Sequence, residues 1–268
     1  MLHVAFFIKI SFYFWNTNSN QNMLKLLSYP LTGIYLLSFG LILLVFHPLQ
    51  WIALNVFGYQ AHKKCVDALQ FFLIAATGIL GTRYSFQNKF DIPKNVPLII
   101  VSNHQSLYDI PPLIWFMRKY HPKFISKKEL GKGIPSVSYN LKYGGSVLID
   151  RKKPNQAINA IKDFANYIET NKRSAVIFPE GTRSRNGIPK KFQTKGMLTL
   201  FEHIPSAVVV PISINNSWKM LRYGKFPMGL GTYIKYQVHQ PLVVSKHNHE
   251  ALISTVEKQI TAVLYEKR

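Results

Sequence analysis

Val96 to Ser102 reads VPLIIVS, and Asn103 to Asp109, NHQSLYD, follows it without a break. A short apolar run rich in β-branched residues is the mark of a strand buried on both faces. Ser146 to Ile149, Ala175 to Phe178 and Ala207 to Ile214 (AVVVPISI) have the same character. Between the second and third of these runs, Pro154 to Asn171 sets Ile158, Ile161, Ala165 and Ile168 on one helical face, opposite Lys162, Asp163 and Glu169. Asn248 to Arg268 repeats that pattern with Leu252, Val256, Ile260 and Val263, and Asn248 is placed to cap it. The alternation predicts an α/β domain with a mixed, largely parallel sheet flanked by helices. Its ligand site belongs beyond the carboxyl ends of the strands.

Three polar segments occupy those positions. In the first, His104 is suited to general base catalysis and Asp109 to holding its other ring nitrogen. Positions five apart on a regular helix diverge by about 140°, so the two meet only if His104 sits in the turn before a helix. In the second, Tyr143 to Arg151 (YGGSVLIDR) ends a strand on an arginine. In the third, Phe178 to Ser184 (FPEGTRS), Gly181 permits a sharp turn, Thr182 and Ser184 bring hydroxyls, and Arg183 brings a planar fork that suits phosphate. His104 and Asp109 lack a further clustered ligand and make a poor metal site.

The charge is distributed unevenly. The 268 residues hold 33 Lys and Arg against 12 Asp and Glu, a net charge of +21, yet 47% are hydrophobic. This is too apolar for a basic disordered tail and too charged for a polytopic transporter. Before Lys89 stand only five of the basic residues (Lys9, Lys25, Lys63, Lys64, Arg83) and one acid (Asp67), which leaves 28 and 11 for the rest. An apolar third therefore precedes a cationic remainder whose partners are anionic: a membrane surface, a phosphorylated substrate or nucleic acid. The aromatic residues cluster in apolar runs instead of alternating with Lys and Arg, which argues against a membrane-anchored nucleic-acid-binding protein. The single Cys65 excludes an internal disulfide and a cysteine-ligated zinc or iron–sulfur centre.

Leu26 to Phe46 carries no charge and has the length of about 20 residues that a membrane helix needs, with His47-Pro48 expected to close it and Trp51 placed as an interfacial anchor. Ala68 to Gly81 is shorter and contains Gln70, as suits an interfacial helix or half of a re-entrant pair. Met1 to Trp15 is interrupted by Lys9 and has no basic leader, so a cleaved signal is not expected. Polar Asn16 to Asn22 and the following Met23 suggest a dispensable extension or a later start. The expected organisation is an extension over 1–22, a hydrophobic membrane-associated helical segment over 23–88, and a catalytic domain over 89–268.

The blocks N-H-x-x-x-x-D (Asn103 to Asp109), G-x-x-x-I-D-R (Gly145 to Arg151), F-P-E-G-T-R (Phe178 to Arg183) and Val210-Pro211-Ile212 stand in the order and approximate spacing of the four motifs of the glycerolipid acyltransferases. The chain resembles the bacterial 1-acyl-sn-glycerol-3-phosphate acyltransferases over roughly Lys94 to Gln240, and its apolar N-terminal segment is similar to that family's membrane anchor. The resemblance implies an O-acyltransferase that moves an acyl group from acyl-CoA or acyl carrier protein to the sn-2 hydroxyl of lysophosphatidic acid, forming phosphatidic acid. It implies no resident cofactor, metal or nucleic acid, and a catalytic domain on the cytoplasmic face of the inner membrane. His104 and Asp109 would be the catalytic pair. Arg151, Glu180, Gly181, Thr182 and Arg183 would serve the acceptor, and Lys127 or its neighbour Lys128 would add a phosphate contact. Another acceptor, such as glycerol 3-phosphate or a lyso-aminolipid, fits the same motifs.

Overall fold

A computed structural model describes the backbone of residues 2–265 and the side chains of 22–264. The N-terminal extension expected over 1–22 lies almost wholly outside the described side chains. Helix α1 (Leu2–Ala76) is broken at Gly58, whose φ of 77° is a left-handed conformation that glycine adopts without strain. The two limbs fold back on each other. Phe46 meets Phe72 with ring centroids 5.7 Å apart, Gln50 and His62 are hydrogen-bonded at 3.3 Å, and Leu43 packs with Leu69 and Leu73. These pairings make an antiparallel hairpin, so Ala68 to Gly81 supplies part of its returning limb.

The first limb has an inverted pattern. Ser28, Thr32, Tyr35, Leu43, Gln50 and Ala53 are buried at helical spacing, whereas Leu26, Ile34, Leu37, Leu41, Leu44 and Phe57 are exposed. Polar groups thus face the protein and apolar ones face out, which is why the run reads as apolar all round. Thr32 Oγ1 accepts a hydrogen bond from the Met228 N–H at 2.9 Å. The helix does not close at His47-Pro48. Ser136 supports it there: its hydroxyl donates to the Leu43 carbonyl at 2.6 Å and its N–H to the His47 ring at 3.0 Å. By length and composition the stretch Asn22–Leu80 holds one helix apolar enough to cross a membrane.

The chain then alternates β1 (Arg83–Gln87), β2 (Leu98–Ser102), α2 (Ile110–Phe116), β3 (Pro122–Lys127), α3 (Val137–Tyr143), β4 (Val147–Ile149), α4 (Pro154–Asn171), β5 (Ser174–Ile177), α5 (Thr194–His203), β6 (Val208–Asn215), β7 (Tyr233–Val238), β8 (Leu242–Val243) and α6 (His249–Tyr265). The sheet runs β1-β7-β6-β2-β5-β3-β4, with β8 beside β6. Only the β6–β7 and β6–β8 pairings are antiparallel. The sheet begins before Lys89, since β1 pairs with β7. Alternate side chains sort to two faces: Ile99, Val101 and Ala175 pack under α4, α5 and α6, while Leu98, Ile100 and Val176 pack towards α2 and Tyr35 of α1. Asn248 Oδ1 accepts from the N–H groups of Glu250 and Ala251 at 3.0 and 3.1 Å, capping α6.

Candidate active site

The parallel strands β2, β5, β3 and β4 end on one side of the sheet, and a groove of about 690 Å3 opens there. At its base, β2 is held in place by Asn103, whose amide exchanges two hydrogen bonds with the Ile214 backbone at 2.7 and 2.8 Å. The chain leaves the strand in a turn, so His104 precedes the helical residues that begin at Leu107. This gives His104 and Asp109 the approach that a regular helix would deny: His104 Nδ1 lies 2.8 Å from Asp109 Oδ2. The same oxygen accepts from the N–H groups of Gln105 and Ser106 at 2.7 and 2.9 Å. A fully buried carboxylate so held is an acceptor only, which fixes the proton of His104 on Nδ1 and leaves Nε2 with its lone pair.

His104 is further clamped from β5. Its ring stacks on Phe178 with centroids 4.3 Å apart and planes at 18°, and its carbonyl accepts from the Ser184 N–H at 2.7 Å. Its own N–H donates to Glu180 Oε1 at 2.8 Å, while Glu180 Oε2 accepts from the Lys190 N–H at 2.8 Å. Glu180 is 4% exposed, and burial raises its pKa above the usual carboxylate range. It braces the wall behind the groove and does not line it. Gly181 turns with a φ of 69°, and its carbonyl accepts from the Arg151 guanidinium.

Of the residues singled out in the sequence, His104, Lys127, Arg151, Gly181, Thr182 and Arg183 line the groove, while Asp109 and Glu180 stand behind it. Lys127, at the end of β3, faces the groove and Lys128 does not. Pro211 is a buried strand residue of β6, paired with Val101. Two lining cations went unread in the sequence, Arg185 and Lys190, both on the loop after Gly181; Lys190 Nζ donates to Thr182 Oγ1 at 2.7 Å. The signal available was the arginine spacing of T-R-S-R over Thr182 to Arg185. Five cations and no carboxylate therefore line the groove among the described residues.

Residues 83–215 match the family model described as Acyltransferase. The chain is 38% identical to a 1-acyl-sn-glycerol-3-phosphate acyltransferase of Helicobacter pylori, over 36% of this chain and 45% of that one. It is 30% identical to a chloroplast 1-acyl-sn-glycerol-3-phosphate acyltransferase of Arabidopsis thaliana, over 57% and 41%. It thus spans less than half the length of these curated relatives. The crystal structure of the 1-acyl-sn-glycerophosphate acyltransferase PlsC from Thermotoga maritima superposes with a TM-score of 0.71 over 91% of this chain and 96% of that chain, at 22% identity, a likeness of fold. The stretch that matches the acyltransferase family, residues 83–215, is also the one that holds the His–Asp pair and every cation of the groove.

Proposed function

We propose that the protein transfers an acyl group from an acyl thioester to the free sn-2 hydroxyl of 1-acyl-glycerol 3-phosphate, forming phosphatidic acid. The observation that carries this reading is the 2.8 Å contact of a buried carboxylate with His104 at the mouth of a groove lined by five cations. Nε2 of His104 takes the proton of the acceptor hydroxyl as its oxygen bonds the thioester carbonyl carbon. The C–S bond then breaks, the ester remains, and the thiolate leaves with the proton returned by the imidazolium. Asp109 stabilises that imidazolium and holds the ring in the required tautomer, as the carboxylate of a hydrolase triad does. The chemistry runs without an acyl-enzyme intermediate, so the protein's contribution is placement of the two substrates and stabilisation of developing charge.

The acceptor phosphate fits Arg183 with Arg151 and Lys127, since guanidinium groups grip phosphate oxygens in pairs. The donor is acyl-CoA or acyl carrier protein, both anionic. The exposed apolar face of the α1 hairpin supports a membrane seat, because a bilayer is the solvent that such a face requires. The test is to incubate the protein in detergent micelles with an acyl thioester and a panel of lysophosphatidic acid, glycerol 3-phosphate and a lyso-aminolipid. Thiol release and product masses identify the acceptor, and preference for lysophosphatidic acid is expected. Transfer to the lyso-aminolipid alone would overturn the reading.

A further inference from the structure

A second groove, of about 600 Å3, lies across the Lys128–Gly131 turn from the first: Leu130 lines the catalytic side, and Gly131 and Lys132 line the other. One wall is the first limb of α1, with Trp51 and Asn55; the opposite wall is α3, with Tyr139, Lys142 and Tyr143. The walls are tied together, because the Asn55 side-chain amide donates to the Tyr139 hydroxyl at 3.0 Å and to the Trp51 carbonyl at 2.8 Å. The groove is thus part of the folded surface and not a gap between loose segments. Lys132 and Lys142 are both exposed, and neither forms an ion pair among the described residues. No carboxylate lines the groove among those residues.

Its position gives this pair of free cations a meaning. Trp51 is 55% exposed and belongs to the same limb as the exposed Ile52, Val56 and Phe57, so one rim of the groove continues into the outward apolar face of the hairpin. The other rim carries Tyr143, also exposed, with its ring 4.8 Å from that of Tyr139. Cations beside exposed amphipathic aromatic rings, at the edge of an apolar face, form an environment with the polarity profile of a phospholipid: phosphate, then glycerol, then chain. A free inorganic phosphate would use the lysines and leave the apolar rim without a partner.

We propose that this groove binds the headgroup of an anionic membrane phospholipid, its phosphate between Lys132 and Lys142 and its chains running past Trp51 onto the apolar face of α1. The site is separate from the catalytic groove and does not depend on the identity of the acyl acceptor. A lipid held there anchors the turn that divides the two grooves, and so keeps the catalytic mouth at the membrane surface.

The test uses the full chain in detergent, titrated with dioleoyl phosphatidylglycerol, dioleoyl phosphatidylcholine or inorganic phosphate, with bound species counted by native mass spectrometry. One phosphatidylglycerol is expected to bind in preference to phosphatidylcholine. The double variant Lys132→Gln/Lys142→Gln should weaken it by roughly tenfold or more, with Arg at both positions retaining it. Lys246→Gln/Lys258→Gln, the same loss of charge near and on α6, should leave the affinity unchanged, and so should Arg183→Ala in the catalytic groove. Equal weakening by both glutamine pairs would reduce the effect to net charge. Loss of the lipid with Arg183→Ala would move the site to the catalytic groove, and binding of phosphate as tight as that of the lipid would leave an ion site only; each of these results overturns the proposal.

Discussion

Replacing Asp109 with Asn separates the charge of this side chain from its shape. Asp109 Oδ2 accepts from His104 Nδ1 and from two backbone N–H groups, while Oδ1 is buried with no partner among the described residues. An asparagine can put its oxygen where Oδ2 lies and keep all three bonds, including the one that fixes the tautomer. Its NH2 then takes the place of Oδ1, where no acceptor waits. Two consequences follow, on different quantities. The imidazolium formed during transfer loses a charged neighbour at about 4 Å between charge centres, an attraction of about 4 kcal/mol at the effective dielectric of a protein site. The hydrogen bond that remains, from the imidazolium to a neutral amide oxygen, returns about 1 kcal/mol. The net loss of roughly 3 kcal/mol corresponds to a fall in kcat of two to three orders of magnitude, with little change in KM. Separately, the orphaned amide lowers folding stability by about 1–3 kcal/mol. Thiol release at saturating acceptor gives the first number and thermal unfolding the second. A folded Asp109→Asn protein with kcat within a few fold of wild type would refute the role of the carboxylate charge.

Three further outcomes are expected. Arg183→Lys keeps the charge and loses the paired geometry, so KM for lysophosphatidic acid should rise by about tenfold with little change in thioester hydrolysis without acceptor; an unaltered KM in this variant and in Arg183→Ala would place the phosphate elsewhere. Thr32→Val removes the acceptor of the buried Met228 N–H and should lower stability by about 1–3 kcal/mol, read as a drop in Tm; an unchanged Tm would show that this bond does not hold α1 to the domain. Lys123 is 7% exposed with its ammonium 4.9 Å from the ring of Tyr59, and burial, then Arg173 and Lys63, push its pKa down to about 7. An unfolded lysine titrates near 10, so between about pH 7 and 10 the unfolded chain binds more protons and stability should rise with pH. Lys123→Met should flatten that rise, and an unchanged slope would assign it to other groups.

The central strands were legible because burial on both faces leaves an unbroken apolar run, as in Leu98–Ser102 and Ser174–Ile177. The peripheral ones were not. Arg83–Gln87 (RYSFQ) is exposed at both ends, and Pro122–Lys127 carries Lys123 and Lys127 within six residues, so neither shows a strand's apolar signature. The α1 hairpin was legible only as one of two alternatives for Ala68 to Gly81, half of a re-entrant pair, and for a different reason. Its inward stripe is partly polar, with Ser28, Thr32 and Gln50, and its outward face is apolar, so the periodicity that marks a soluble helix cancels. In the site, the His104–Asp109 contact could be anticipated because it depends on six consecutive residues and one turn. Arg185 was signalled only by the T-R-S-R spacing and Lys190 by nothing, because its reach into the groove depends on how the loop after Gly181 folds back, with Lys190 tied to Glu180 from ten residues away. Lys127 was separated from Lys128 only by the direction in which β3 ends.

The most direct test of the account is a single-turnover measurement with excess protein in detergent micelles, an acyl thioester labelled in the acyl chain, and lysophosphatidic acid. Wild-type protein is predicted to give labelled phosphatidic acid in step with thiol release, and a folded His104→Ala protein is predicted to give neither. Phosphatidic acid formed by His104→Ala at a rate near wild type would contradict the claim that His104 takes the proton of the acceptor hydroxyl.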